Sequence, residues 1–162
     1  MKSSEETVRA GAGDGDERRA YVGALLRLAW QRVRARLNAA VRAAGFDDLN
    51  ETHMLVFSYP PADGVRSSEL ARRLGMSRQA ANHIIGQMEA MGYLKRRAAA
   101  GGERRLVYMT ARAWRVAEVI FACLRDIEAE WAREIGARRF GDFMAVLRQL
   151  AAGAEPARPR RP

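Results

Sequence analysis

The chain has 162 residues, is 48% hydrophobic, and carries a net charge of +9 with two histidines and one cysteine. That length fits one domain with its own core, and so few sulfur and imidazole ligands exclude an intramolecular disulfide framework and a structural zinc site. No apolar run approaches the roughly 18 residues of a membrane span. The opening stretch SSEETVRAGAGDGDE lacks the apolar segment of a signal peptide, so a cytoplasmic protein without a cofactor is expected.

Arginine supplies all but two of the 28 basic side chains. A GC-rich coding sequence accounts for arginine in place of lysine, but not for the excess of basic over acidic residues. That excess is local. Residues 66–112 hold 10 basic and 3 acidic side chains, net +7, whereas 21–65 hold 5 and 4, and 113–153 hold 6 and 6. A confined basic block is the electrostatic footprint of a nucleic-acid site, and arginine's planar fork suits phosphate.

In chain order, residues 1–16 are rich in Gly, Ser, Asp and Glu and are expected to form a disordered arm. From Asp16 to Ala44 the apolar residues Val22, Leu25, Leu26, Ala29, Val33, Leu37, Ala40, Val41 and Ala44 keep helical spacing, and Gly45 is placed to stop the helix. A helix this long cannot bury its whole stripe against a small domain, so a partner helix is expected. Asn50 is placed to cap a second helix through Met54, Leu55 and Phe57 to Tyr59, ended by the turn Pro60–Gly64. Ser67 is expected to cap a short third helix, SSELARRL. Gly75 closes it, and Ser77 caps a fourth helix from Arg78 to Met91, with Gly92 beyond.

Helix, short glycine-containing turn, helix is the helix-turn-helix arrangement. Residues 93–97 then read as a strand, 98–103 as a glycine-containing loop, and 104–109 as a returning strand: a wing. Thr110 caps a fifth helix with the stripe Trp114, Ala117, Ile120, Phe121, Leu124, Ile127, Trp131 and Ile135. A sixth follows with Phe140, Phe143, Met144, Leu147 and Leu150. Residues 154–162 are basic, broken by proline, and expected to be a disordered tail. The fold class is mainly α, a winged helix-turn-helix with a small two- to three-stranded β-wing between long terminal helices.

On a wheel of roughly 100° per residue, Ala81, Ile84, Ile85, Met88 and Met91 share one face of the fourth helix. The opposite face holds Gln79, Asn82, His83 and Gly86, with Arg78 at its flank. Gln and Asn can bond adenine edges and Arg prefers guanine, so this face has the chemistry of a reading head. An ordinary solvated polar face is the bland alternative. His83 is the weakest member, since a neutral imidazole holds phosphate less well than Arg. In the wing, Arg96, Arg97, Arg104 and Arg105 flank a small tip, a pattern suited to phosphate or the minor groove. At least one of Arg96 and Arg97 can instead pair with Glu103 and brace the hairpin. Ser67, Ser77 and Gln87 complete the candidate DNA contacts.

The segments Glu69-Leu70-Ala71-Arg72-Arg73-Leu74-Gly75-Met76-Ser77-Arg78-Gln79-Ala80 and Met88-Glu89-Ala90-Met91-Gly92-Tyr93-Leu94-Lys95-Arg96-Arg97 resemble the MarR family of winged-helix transcriptional regulators. Glu103-Arg104-Arg105 and Met109-Thr110 continue the likeness, which is dense over 66–112. Several positions depart from the family pattern. Glu103 stands for a usual Asp, Asn82-His83 for Ser or Thr followed by Arg, and Ala113 for a usual Gly.

The resemblance implies a single domain over 17–153, with 17–44 and 113–153 as dimerisation helices around a winged helix-turn-helix at 48–112. It also implies a homodimer on a pseudo-palindromic operator, two reading heads about one duplex turn apart, and regulation as a repressor. A small aromatic or phenolic effector is implied as well, with Trp30, His53 and Phe57 as candidate lining residues; core packing is the competing role for each. Cys123 is a candidate redox switch by the same likeness, against the commoner role of a small buried hydrophobe.

An enzyme is not expected. The sequence shows no nucleophile elbow, P-loop, dinucleotide fingerprint or metal-ligand spacing. The alternative to a regulator is a sequence-tolerant protein that coats or bends duplex. The polar side chains of the fourth helix argue against it, because phosphate grip alone needs only Arg and Lys.

Overall fold

A computed structural model describes residues 20–61, 63–98 and 105–152. Its helices are α1 (Val22–Ala43), α2 (Glu51–Met54, followed by a single 3-10 turn at Leu55–Ser58), α3 (Ser67–Arg73), α4 (Arg78–Ala90), α5 (Ala111–Ile135) and α6 (Ala137–Ala152). Between α4 and α5 lie strands β1 (Leu94–Ala98) and β2 (Arg105–Met109). The order is that of a winged helix-turn-helix between long helices, as the sequence pattern predicts. Residues 1–16 and 154–162, the expected disordered arm and tail, lie outside the described residues.

Two compact units are distinguished, 1–32 and 33–162. The described part of the first is residues 20–32, the start of α1 with two residues ahead of it, where Tyr21, Val22, Leu25, Leu26, Leu28 and Trp30 are exposed. The second unit holds one contiguous core. Leu37 and Val41 of α1, Val56 and Phe57 of the 3-10 turn, Leu70 of α3, and Ile84, Ile85 and Met88 of α4 meet Tyr93, Val107, Val116 and Ile120 there.

Two elements differ from expectation. The second helix is only four residues long, because the chain tightens to i→i+3 bonding over Leu55–Ser58 before Pro60-Pro61 forbids a helix. Ser67 is not a cap. Val65 exchanges backbone bonds of 3.0 and 2.8 Å with Val107, holding the chain extended through Arg66, so Ser67 becomes the first helical residue and no side chain caps α3. That same bridge adds a third, single-residue strand to the β1–β2 hairpin.

The turn from α3 to α4 closes on Gly75, whose φ of +65° is open to glycine at no steric cost. Ser77 then caps α4, its hydroxyl accepting the Ala80 N–H at 3.1 Å. Such a cap contributes about 1 kcal/mol, so the start of the helix is fixed by sequence. Thr110 does two tasks at the start of α5. Its hydroxyl accepts the Ala113 N–H at 3.3 Å and donates to the Gly92 carbonyl at 2.7 Å, tying α5 to the end of α4.

The α5 stripe divides. Ala113, Val116, Ala117, Ile120 and Ile127 are buried, while Trp114, Phe121 and Ile135 are exposed. On α6 no described residue is buried, and Phe143, Val146 and Leu150 are exposed. Among the described residues no helix is long and apolar enough to cross a membrane.

Candidate nucleic-acid interface

Helix α4 is sharply two-sided. Ala81, Ile84, Ile85 and Met88 are each 5% exposed or less, whereas Arg78, Gln79, Asn82, His83, Gly86 and Gln87 are exposed. At 100° per residue the buried line and the line through Gln79, Asn82, His83 and Gly86 lie on opposite sides of the helix, as the periodicity requires. The apolar side fixes the rotation of α4 in the core, and that rotation aims the polar side outward. Gly86, mid-face, costs about 1 kcal/mol relative to Ala in a helix interior and leaves a gap between side chains.

Gln87 sits at the edge of this face and has a partner beneath it. His53 of α2 is 5% exposed, and its Nε2 lies 3.1 Å from Gln87 Oε1. The same imidazole takes part in a capping box. Asn50 Oδ1 accepts the His53 N–H at 3.0 Å, and His53 Nδ1 accepts the Asn50 N–H at 3.2 Å. The sequence singled out Asn50 as a cap but missed the return bond, because imidazole is not the usual Glu or Gln at that position. Phe57, like His53, belongs to the buried core, and Trp30 is an exposed residue of the N-terminal unit. Cys123 is half-buried and packs against the core cluster.

The wing separates its arginines by parity. β1 pairs antiparallel with β2, setting Leu94 opposite Met109, Arg96 opposite Val107 and Ala98 opposite Arg105. Alternate side chains point to opposite faces, so Arg96 shares the face of buried Leu94 and Val107 while Lys95 and Arg97 take the other. Turned toward α4, the Arg96 guanidinium pairs with Glu89 and approaches Asn82 Oδ1 at 3.5 Å. Arg96 is therefore a strut between wing and helix, and the acid that holds it is Glu89; Glu103, its expected partner, lies outside the described residues. Arg97 and Arg105 are exposed. Arg104, a candidate contact, also lies outside the described residues, and Ser67 is half-buried.

Three other basic residues of the central block are partly neutralised. Glu69 accepts from Arg72 at 2.6 and 3.0 Å and from Arg73 at 2.9 Å. Donation by Arg72 and then Arg73 lowers the Glu69 carboxyl to about 2. Arg112 reaches Asp48 at 2.8 Å and lies over the Tyr93 ring, 4.5 Å from its centroid. Arg66, Arg78, Lys95, Arg97 and Arg105 make no ion pair with an acid among the described residues. The sequence count of the block did not separate these outward cations from the internal struts; strand parity would have separated Arg96 from Arg97.

The wing's root is held by close packing. Gly64 has φ +82°, and a Cβ built there would lie 2.4 Å from the Tyr108 ring. Only glycine lets that ring cover the backbone leading into α3.

Residues 60–105, from the loop before α3 to the first residue of β2, match the model of the MarR family. Over that segment the chain is similar to the MarR family. Solved structures extend the likeness to the flanking helices. The Mycobacterium tuberculosis MarR family protein Rv2887 in complex with salicylic acid is 26% identical with a TM-score of 0.58, over 83% of this chain and 98% of that one. The same protein in complex with DNA gives 24% identity and a TM-score of 0.59, over 82% and 98% of the two chains. A MarR family transcriptional regulator from Silicibacter pomeroyi is 18% identical with a TM-score of 0.63, over 86% and 92%. A search of curated protein sequences gives no match. The likeness of the helix-turn-helix and wing to that family thus rests on a sequence match, and that of the long helices on shape.

Proposed function

We propose that this protein is a sequence-specific double-stranded DNA-binding transcriptional regulator. It acts in the cytoplasm as a homodimer on a pseudo-palindromic operator, as a repressor whose grip a small aromatic acid relieves. The observation that carries the reading is the two-sided α4. A fully packed apolar side holds Arg78, Gln79, Asn82 and His83 outward on the second helix of a helix-turn-helix, beside a wing bearing Arg97 and Arg105. Arginine and amide side chains on one exposed helix face match the donor and acceptor pattern of the major groove. Relatives support the rest: one has been seen with DNA and with salicylic acid.

The homodimer is supported by the apolar side chains left exposed on α5 and α6 and, separately, on the start of α1. A second copy would cover them, and clustered exposed apolar side chains mark association surfaces. Two-fold symmetry would then set two copies of α4 about one duplex turn apart.

The test is selection of bound duplexes from a random pool, followed by competition at matched salt. A recovered pseudo-palindrome that outcompetes random duplex is the expected result. Equal binding to both would sink the regulator and favour a sequence-tolerant coating protein.

A further inference from the structure

The pair His53–Gln87 joins a buried imidazole to an exposed amide on the reading helix, and its polarity can be worked out from the backbone. The Asn50 N–H is a donor with no alternative, and it points at His53 Nδ1 across 3.2 Å. Nδ1 must therefore be the unprotonated, accepting nitrogen, and in the neutral ring the proton sits on Nε2. Nε2–H then donates, so the Gln87 atom 3.1 Å away must be the carbonyl oxygen. Which way an amide points is ordinarily a matter of assignment. Here a backbone donor two bonds down the chain of contacts settles it.

From this geometry we infer that His53 is a positioning residue that fixes the polarity of Gln87, so that Gln87 meets DNA with its NH2 outward and takes a hydrogen-bond acceptor of the duplex. The inference rests on the reading of α4 as a DNA-reading helix. Among major-groove base edges the fitting acceptors are guanine O6 and N7, adenine N7 and thymine O4, and cytosine alone offers none; a phosphate oxygen offers the same chemistry. A free glutamine could turn over and serve donors or acceptors equally. One held by a buried, doubly engaged imidazole pays to turn, because the Nε2–H would face two amide hydrogens. His53 itself touches no DNA in this scheme.

Two substitutions separate polarity from folding, since both keep a side-chain acceptor for the Asn50 N–H. His53→Gln also keeps a donor facing Gln87. His53→Glu replaces that donor with a carboxylate oxygen, which calls the Gln87 NH2 inward and turns its carbonyl outward. Selected-site experiments on the full-length wild type and both variants read the outcome, with thermal melts to confirm folding. His53→Gln should keep the wild-type preference. His53→Glu should lose discrimination against cytosine at one position of each half-site by roughly tenfold, the size of one base contact. If the acceptor is a phosphate, His53→Glu instead weakens every duplex alike, and that loss shrinks in a Gln87→Ala background. A loss that persists in full without Gln87, or equal behaviour of the Gln and Glu variants, would overturn the inference.

The imidazole 15N spectrum of the free protein supplies a readout independent of DNA. The expected Nε2–H tautomer, combined with no sequence-dependent binding by the wild type, refutes the regulator reading and with it this role for Gln87. An Nδ1–H tautomer refutes the polarity argument alone, whatever the protein does with DNA.

Discussion

Tyr93→Phe tests how the winged unit is fastened to α5. Tyr93 is fully buried at the junction of α4 and β1, and its hydroxyl donates to Asp48 Oδ1 at 2.5 Å. Arg112 of α5 closes the triangle, bonding Asp48 Oδ2 at 2.8 Å and lying over the Tyr93 ring. Phenylalanine keeps the ring, its packing on Phe46 and the face beneath Arg112, so the substitution removes the hydroxyl alone. A hydrogen bond to a charged group is worth about 1.5–3 kcal/mol. Asp48 is 38% exposed and retains Arg112, so water and the guanidinium compensate in part and the lower end applies, about 1.5 kcal/mol. For a chain of this size that lowers Tm by roughly 3–6 °C.

The assay is thermal and urea unfolding at fixed protein concentration, because a dimer makes Tm depend on concentration. A double-mutant cycle with Arg112→Ala should show coupling above about 0.5 kcal/mol. The pH dependence gives a second check. Burial, and then donation to Asp48, raises the Tyr93 phenol above its ordinary value. A raised acid stabilises the fold fully below the unfolded value, near 10, and loses that contribution as pH rises through the folded value. The wild-type advantage over Tyr93→Phe should therefore shrink above about pH 10. A variant within about 0.5 kcal/mol of wild type at neutral pH would refute the reasoning, and the triangle would be a surface ion pair of no consequence.

Gly64→Ala should destabilise by more than about 2 kcal/mol, since a left-handed φ costs 1–2 kcal/mol before the ring clash is counted; adding Tyr108→Ala should recover only the clash, as read by urea midpoints. The Glu69 carboxyl, observed by 13C NMR, should titrate near 2, so its contribution is complete above about 4.5 and disappears as pH falls through about 2. Arg72→Ala with Arg73→Ala should return it toward the ordinary value. Arg105→Ala should weaken every duplex alike and reduce the salt slope of binding by about one, whereas Gln79→Ala should change base preference with a smaller loss of affinity. Equal losses on all duplexes for both variants would remove base reading from α4.

The helix order was legible because its signals are local. Ser77 and Thr110 cap helices wherever they stand, and the apolar period of α4 survives intact in its buried side. The features that escaped depend on contacts far apart in sequence. Ser67 reads as a cap in SSELARRL, yet Val107, 40 residues on, holds Val65 extended and moves the helix start. The α5 stripe reads as one face, yet the core takes Ala113, Val116 and Ala117 and leaves Trp114 and Phe121 outward. A helix with two apolar faces gives a single blurred signal, because roughly 100° per residue spreads both faces over the same positions.

Charge shows the same limit in a more useful form. The net +7 of residues 66–112 locates a basic element correctly, but a sum over sequence cannot tell a cation that faces outward from one that holds the element together. Arg96 and Arg97 are neighbours of identical chemistry. Strand alternation sends one to Glu89 and leaves the other exposed, so their loss should have different consequences. Arg97→Ala should weaken DNA binding with Tm unchanged. Arg96→Ala should lower Tm by roughly 2–4 °C, because the pair is only about a quarter exposed and its loss leaves Glu89 half-buried without a counter-charge. If both variants lost only affinity, the wing would not be braced through Arg96, and the basic block would be a uniform electrostatic surface instead of a set of outward contacts carried on internal ion pairs.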